Sequence, residues 1–252
     1  MTEGIILKTS EEINIMAEGG EKLARVKESL KREIKAGVNS YEIETMTTQL
    51  ILKEGCKPSF KMVPNYNWST CVNINEGIVH GIPKKEVVFK KGDVVSVDVG
   101  IYYRGFHTDT SFSLGIDVAD KDRKFLETGK KALAAAIDKA RVGNKIYDIS
   151  LATESVLEKK GYSPVRALVG HGVGRNLHEE PPIPCFADPR HLTASPQIVE
   201  GMALAIEVMY SQGSGEVKLE KDGWTISSSD GTITALFEDT LAVTKKGPLV
   251  LT

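Results

Sequence analysis

Residues 94–115 read VVSVDVGIYYRGFHTDTSFSLG. Val95, Val97, Val99 and Ile101 alternate with Ser96 and Asp98, the period of a β-strand. After the turn-like Arg104–Gly105, the run His107–Leu114 places Asp109 eleven residues beyond Asp98. That spacing suits two antiparallel strands with a tight connection and both carboxylates on one face. A carboxylate among Val and Ile is costly to bury unless it is paired or bound to a cation. Two later runs repeat the pattern. Glu207 in LAIEVMY, residues 204–210, opposes Leu204, Ile206 and Val208, and Glu238 in TALFEDTLAV, residues 234–243, opposes Phe237. His171 opens HGVGRNLHEEPP between Gly170, Gly172 and Gly174, glycines that allow a close approach of backbone to something else.

Any one of these acids taken singly reads as a strand-edge residue facing water. Together, four carboxylates and one imidazole carry more negative charge than a buried site tolerates alone. A dinuclear divalent metal site resolves that conflict, and strand-borne ligands are rigid enough to hold two cations close together. One imidazole among oxygen donors suits Mn, Fe(II), Co or Zn better than Ca or Mg.

Working outward, Thr9–Lys35 predicts a helix opened by a Thr9/Glu12 capping box, with Ile13, Met16, Gly20, Leu23, Leu30 and Ile34 at helical spacing. Asn39 with Glu42 opens a second helix, stopped at Gly55. Strands are expected at Cys71–Ile74, 94–102 and 107–114. Helices follow at about 119–141, striped by Phe125, Gly129, Leu133, Ile137 and Ala140, and at about 145–160. Further strands are expected at Val165–Val169, Met202–Tyr210, Ile233–Val243 and the C-terminus. Gln212–Gly215 and Ser227–Gly231 read as hairpin tips. Sliding the chain by 106 residues aligns Gly37, Tyr41, Ile43, Thr47, Lys53, Gly55 and Pro58 with Gly143, Tyr147, Ile149, Thr153, Lys159, Gly161 and Pro164, seven matches in 22 positions. The chain therefore reads as one α+β domain, 1–252, built from a duplicated αα-then-β unit with halves at roughly 10–115 and 119–243. The first half carries Asp98 and Asp109 and the second His171, Glu207 and Glu238, so a shared site would lie between them.

The 41% hydrophobic and 26% charged residues are those of an ordinary globular domain. A net charge of −2 gives no bulk case for binding nucleic acid, and no specific DNA partner is expected. No apolar run approaches the ~20 residues of a membrane span, and MTEGIILKTSEEIN is not a signal peptide. Cys56, Cys71 and Cys185, odd in number and without CxxC spacing, point to reduced, buried thiols in the cytosol. His80 in NEGIVHGIP and His178 before Glu179–Glu180 and a Pro-rich loop look chemical, although neither has zinc-motif partners. His107 shares a strand face with Asp109 and is expected to support a ligand from behind. His191 is expected at the surface. Lys84–Lys85 and Lys90–Lys91 read first as solvated surface.

At this point CVNINEGIVHGIP, VSVDVGIYYRGFHTDTSFSLG, GHGVGRNLHEEPPIP, MALAIEV and ALFEDTLAV resemble the type I methionine aminopeptidases, over essentially the whole chain. The resemblance implies the pita-bread (creatinase/aminopeptidase) fold, two pseudo-symmetric halves around a central antiparallel sheet. It implies two divalent ions (Co, Mn, Fe(II), Zn or Ni), with Asp109 and Glu238 bridging them, Asp98 chelating one, and His171 and Glu207 completing the other. Glu207 would be the general base toward a water nucleophile. His178 would contact the scissile carbonyl and His80 the amide nitrogen. The implied activity is removal of N-terminal methionine from nascent chains whose second residue is small, in the cytoplasm, by a monomer. The start of this chain, Met1–Thr2, is itself such a sequence. The basic clusters would then be candidates for phosphate contacts on the ribosome.

The methionine pocket is where the chain departs from the family pattern. Tyr66, Cys71 and Trp224 match it. Val63 stands where an aromatic is usual, Phe60 where a small residue is common, and Leu177 where Phe is frequent. These changes imply retained activity with an altered response to inhibitors of the pocket. Only 35 residues separate His171 from Glu207, too few for the helical insertion of type II members. Two competing readings are a proline-directed peptidase of the same fold and a pseudo-enzyme kept as a binding module. The first usually carries an additional N-terminal domain, and the second typically loses metal ligands.

Overall fold

The computed structural model describes residues 4–252, so the Met1–Thr2 end lies outside the described residues. The chain opens with α1 (Ser10–Glu33) and α2 (Ser40–Lys53), followed by β1 (Lys57–Pro58), β2 (Thr70–Ile74), β3 (Gly77–Val79), β4 (Val94–Tyr103) and β5 (Phe106–Gly115). Next come α3 (Asp120–Lys139) and α4 (Ile146–Glu158), then β6 (Ser163–Pro164), β7 (Val169–Gly172), β8 (Glu179–Pro184) and β9 (Ala203–Ser211). A short excursion, β10 (Val217–Leu219) and β11 (Ile226–Ser228), precedes β12 (Thr234–Thr244) and β13 (Gly247–Val250).

The capping box of α1 is formed. Glu12 N–H donates to Thr9 Oγ1 at 3.2 Å and Thr9 N–H to Glu12 Oε2 at 2.9 Å. Two backbone donors that the helix cannot satisfy itself are thereby paired. Asn39 and Glu42 do the same for α2. The buried face of α1, including Leu23 and Leu30, joins Ile43 and Ile51 of α2 on Val95, Val97, Val99 and Ile101 of β4. The face of α3 and α4 packs on Leu204, Ile206, Val208 and Phe237. Burying each such side chain contributes about 1.5–3 kcal/mol. All four helices therefore cover one face of a ten-stranded sheet of order β1-β4-β5-β12-β9-β7-β8, with β2 beside β4, β13 beside β12 and β6 beside β9. Every pairing is antiparallel. The other face is left for the site.

Elements 106 residues apart match in several places. Asn39 and Lys145 are the N-caps of α2 and α4, and each forms an isolated bridge, to Val88 and to Gln197. Lys57–Pro58 pair with β4 as Ser163–Pro164 pair with β9. Gly37 and Gly143 have φ of 92° and 96°, a left-handed conformation in which a side chain would be strained.

Three sequence expectations need correction. Val165–Val169 is not one strand, because β6 ends at Pro164 and only Val169 enters β7. Of its apolar residues only Val165 is buried, in a separate cluster with Ile78, Met209 and Leu236, and Val169 is 41% exposed. The Pro-rich stretch after His178 is β8, an edge strand beside β7, where missing N–H groups are tolerated. Ser227–Ser228 belong to β11 rather than to a tip. The chain passes at 212–216 and 229–233 between the long β9–β12 ladder and a second sheet of order β10-β11-β3. Cys56, Cys71 and Cys185 are all free and buried.

Candidate metal centre and active site

Strand register assembles the predicted ligands in two rows. In the first, Cys71 of β2 pairs with Asp98 of β4, Asp98 with Ser111 of β5, Ser111 with Glu238 of β12, and Glu238 with Glu207 of β9. In the second, Gly100 pairs with Asp109, Thr240 with Ala205, and Ala205 with His171 of β7. Asp109 N–H donates to Thr240 Oγ1 at 2.9 Å, and the Thr240 hydroxyl donates to the Asp109 carbonyl at 2.8 Å, which closes that row. The rows are two residues apart along each strand, so all five ligands project from the face opposite the helices. Ligand atoms of Asp109, His171 and Glu238 lie within 4.8 Å of one another. Glu207 Oε1 lies 3.5 Å from His171 Nε2.

The electrostatics are those of a centre built around a cation. Burial, and then the Asp109 charge, hold Glu207 and Asp98 well above the ordinary carboxylate range. Glu238 is raised by burial and by Asp109, Glu207 and Asp98 together. Burial pushes Asp109 itself up to about 7. Among the described residues, Asp98 Oδ1, Glu238 Oε1 and Ser111 Oγ are buried without a hydrogen-bond partner. Such atoms cost stability unless a donor or a cation meets them. Burial lowers His171 to about 4, so its ring is neutral. Its Nδ1 lies 2.9 Å from the Gly172 carbonyl, which can only accept. The proton therefore sits on Nδ1, and the Nε2 lone pair points at the carboxylates. Hard oxygen donors with one imidazole fit divalent transition metals.

Above this floor is a cavity of about 150 Å³. It is lined by the five ligands, by His80 and His178, and by an apolar wall of Phe60, Val63, Tyr66, Cys71, Leu177 and Trp224. Every predicted site residue therefore borders one space. Val79 also lines it and was missed, since a three-residue strand has no readable period. Tyr66 anchors the wall, with its ring centroid 5.1 Å from Trp224 and 6.4 Å from Phe60. Its hydroxyl donates to Thr70 O, with Cys71 Sγ also at 3.1 Å. Burial raises both the phenol and the thiol, so neither ionises near neutrality. His80 sits just past β3 with φ 58°, and the His178 ring centroid stands 4.5 Å from that of His171. Burial lowers both His80 and His178.

His107 does not support Asp109. Its Nδ1 bonds Ser59 Oγ, its ring lies 4.8 Å from Tyr102, and its main-chain N–H donates to Gly174 O at 2.7 Å. It braces the turn carrying Phe60 and the loop leading to His178. His191 is exposed, as expected. The glycines around His171 admit neighbouring strands. A Cβ on Gly170 would lie 2.7 Å from Ala205 O, and one on Gly172 2.2 Å from Glu180 O. Ser111 and Thr240 were missed, although each stands two residues beyond a ligand and therefore on its face.

Residues 14–245 match the model of metallopeptidase family M24. Methionine aminopeptidase 1 of Bacillus subtilis is 39% identical over 249 residues, covering 98% of this chain and 99% of its own. The methionine aminopeptidase of Clostridium perfringens is 36% identical, covering 98% of each chain. The crystal structure of methionine aminopeptidase from Thermotoga maritima superposes with a TM-score of 0.95 at 36% identity, covering 98% of this chain and 99% of that one. Prolidase from Pyrococcus furiosus, at 23% identity and a TM-score of 0.78, covers 98% of this chain and 65% of that one, and shares the fold alone. The fold is the expected pita-bread arrangement, and the chain belongs to metallopeptidase family M24, among its methionine aminopeptidases.

Proposed function

We propose that this chain hydrolyses the N-terminal methionine from nascent proteins and peptides whose second residue is small. The observation that carries the reading is the pair of ligand rows forming the floor of a single apolar-walled cavity. Two divalent ions, from among Co, Mn, Fe(II), Zn and Ni, would be held by Asp109 and Glu238 jointly, Asp98 on one side, and His171 with Glu207 on the other. When bound, they would lower the pKa of water, polarise the scissile carbonyl and anchor the free α-amine.

The protein's own groups do the rest. The Glu207 carboxylate takes the proton of the attacking water and returns it to the departing amine nitrogen. His178 donates to the carbonyl oxygen as negative charge develops there. His80 holds the amide nitrogen. Phe60, Tyr66, Cys71 and Trp224, with Val63 and Leu177, enclose the thioether side chain and exclude water. The small second residue is carried over from the family resemblance.

The chain is read as one catalytic domain, 1–252, whose halves at roughly 10–115 and 119–243 derive from a duplication, supported by the matched caps and strand pairings. Among the described residues no helix is long and apolar enough to cross a membrane, and we place the protein in the cytoplasm as a monomer acting on nascent chain ends. Contact with the ribosome would run through the segment joining β3 to β4. There Lys84 pairs with Asp222, Lys91 with Asp117, and Lys85 lies over the Tyr41 ring. Neutralising Lys84, Lys85, Lys90 and Lys91 should reduce ribosome co-sedimentation, and unchanged co-sedimentation removes that contact.

The central experiment is methionine release from a Met-Ala-Ser peptide by metal-stripped protein, with and without Mn, Fe(II) or Co. Release that is restored by metal and lost in Glu207→Ala is expected. Tight metal binding with no release would point to another peptide specificity.

A further inference from the structure

On the helix-covered face, directly behind the ligands, Lys27 reaches in from α1. Its Nζ lies 2.8 Å from Asp239 Oδ1 and 3.1 Å from Thr110 Oγ1. The Lys27 and Asp239 side chains are only 12% and 19% exposed, and Thr110 is buried. Thr110 and Asp239 are direct cross-strand partners. Each is also the residue after a proposed ligand, Asp109 on β5 and Glu238 on β12.

An ammonium can only donate. Thr110 Oγ1 therefore accepts from Lys27, and the nearer acceptor for its single proton is the Glu238 main-chain carbonyl at 2.8 Å, with Asp239 Oδ1 at 3.3 Å. The Thr110 N–H donates to Asp109 Oδ1 at 3.0 Å. One side chain from the first helix thus engages both Asp239 of β12 and the Thr110 hydroxyl that bonds across from β5 to β12. The same Thr110 also holds the Asp109 carboxylate through its backbone. By contrast, Arg25, on the same helix, pairs with Glu54 just past α2, with its side chain 56% exposed.

We propose that Lys27 is a positioning residue for the divalent metal centre, acting through Thr110 and Asp239 to hold Asp109 and Glu238 in register. This inference rests on the metal-centre reading above. Groups behind the ligands typically govern metal affinity because they fix ligand orientation before the ion arrives.

The test is calorimetric titration of Mn(II) into the metal-stripped full chain. Lys27→Met, which keeps the aliphatic stem and removes the donors, is expected to weaken Mn(II) binding about 10-fold or more. Lys27→Arg, which keeps both charge and donors, should bind more tightly than Lys27→Met, and Arg25→Met should match wild type. Thr110→Val removes the acceptor without touching α1 and should reproduce the loss, while Thr110→Ser should spare it. Wild-type affinity in both Lys27→Met and Thr110→Val overturns the proposal. If the wild-type chain itself binds no divalent ion, the metal-centre reading falls and this inference falls with it.

Discussion

At the scale of single residues, the site depends as much on small side chains as on ligands. Gly100 occupies the second row beside Asp109, where a Cβ would lie 2.9 Å from both Phe60 Cε1 and Ser59 Cβ, and 3.2 Å from Asp109 Oδ1. Gly100→Ala would push against the pocket wall and a ligand at once. Overpacking of this kind costs roughly 1–3 kcal/mol. We expect a lower urea midpoint together with a raised KM for a methionyl peptide, because Phe60 must shift. Wild-type values for both would show that the wall has room to give. The four acids were legible in the sequence because charge inside a Val- and Leu-rich run is an anomaly that requires a cause, and His171 because glycines flank it. Gly100, Ser111 and Thr240 were not, since a glycine or hydroxyl in a strand is ordinary until cross-strand register is known. His107 was misread because sharing a strand face does not fix which neighbour a ring meets.

At the scale of elements, capping boxes and hydrophobic periods located the four helices and the long strands, whose local signals agree with their tertiary roles. Short elements escaped. Glu179–Pro184 carries three prolines and belongs to the sheet only because β7 offers it an edge. Val165–Val169 has strand composition, but only its ends are paired, Val165 with Met209 of β9 and Val169 with Pro184 of β8. Element placement also depends on a buried contact that no local pattern reveals. Lys8, just before α1, pairs with Glu179 at the start of β8, both side chains 2% exposed. The other Glu179 oxygen accepts the Asn176 N–H at 3.0 Å. This pair pins the loop bearing His178 to the N-terminal segment. Removing one member of a buried pair leaves an uncompensated charge and costs about 3–5 kcal/mol. Lys8→Met should therefore lower stability by that order in urea unfolding and reduce kcat/KM. Glu179→Gln in the same background should recover part of both. A double variant no better than Lys8→Met would mean that packing, rather than charge, holds the loop.

At the scale of the whole molecule, the ligands come from β4 and β5 in one half and β7, β9 and β12 in the other, so the centre exists only when the halves are joined. Folding therefore gathers four carboxylates whose repulsion and desolvation oppose it in the absence of metal. Asp109 is raised to about 7, and Asp98, Glu207 and Glu238 stand well above their ordinary range. A carboxylate raised in the folded state stabilises below its unfolded pKa, near 4, and that contribution is lost as pH rises through the folded value. His171, lowered to about 4, acts oppositely, since its contribution is full above about 6.5 and lost as pH falls toward 4. His80, His107 and His178 are lowered by burial as well and act in the same direction as His171, but above about 6.5 histidines are neutral in both states and the carboxylates alone set the slope. The metal-free protein should lose stability between about pH 6.5 and 8, at up to about 1.4 kcal/mol per pH unit for each additional proton that the folded state retains. Divalent ions bind the deprotonated ligands of the folded chain and stabilise it by mass action. The gap between melting temperatures in Mn(II) and in EDTA should accordingly widen as pH rises over that window. A gap that stays constant or narrows would mean that the carboxylates are already ionised in the metal-free fold, and that something other than a cation compensates their charge.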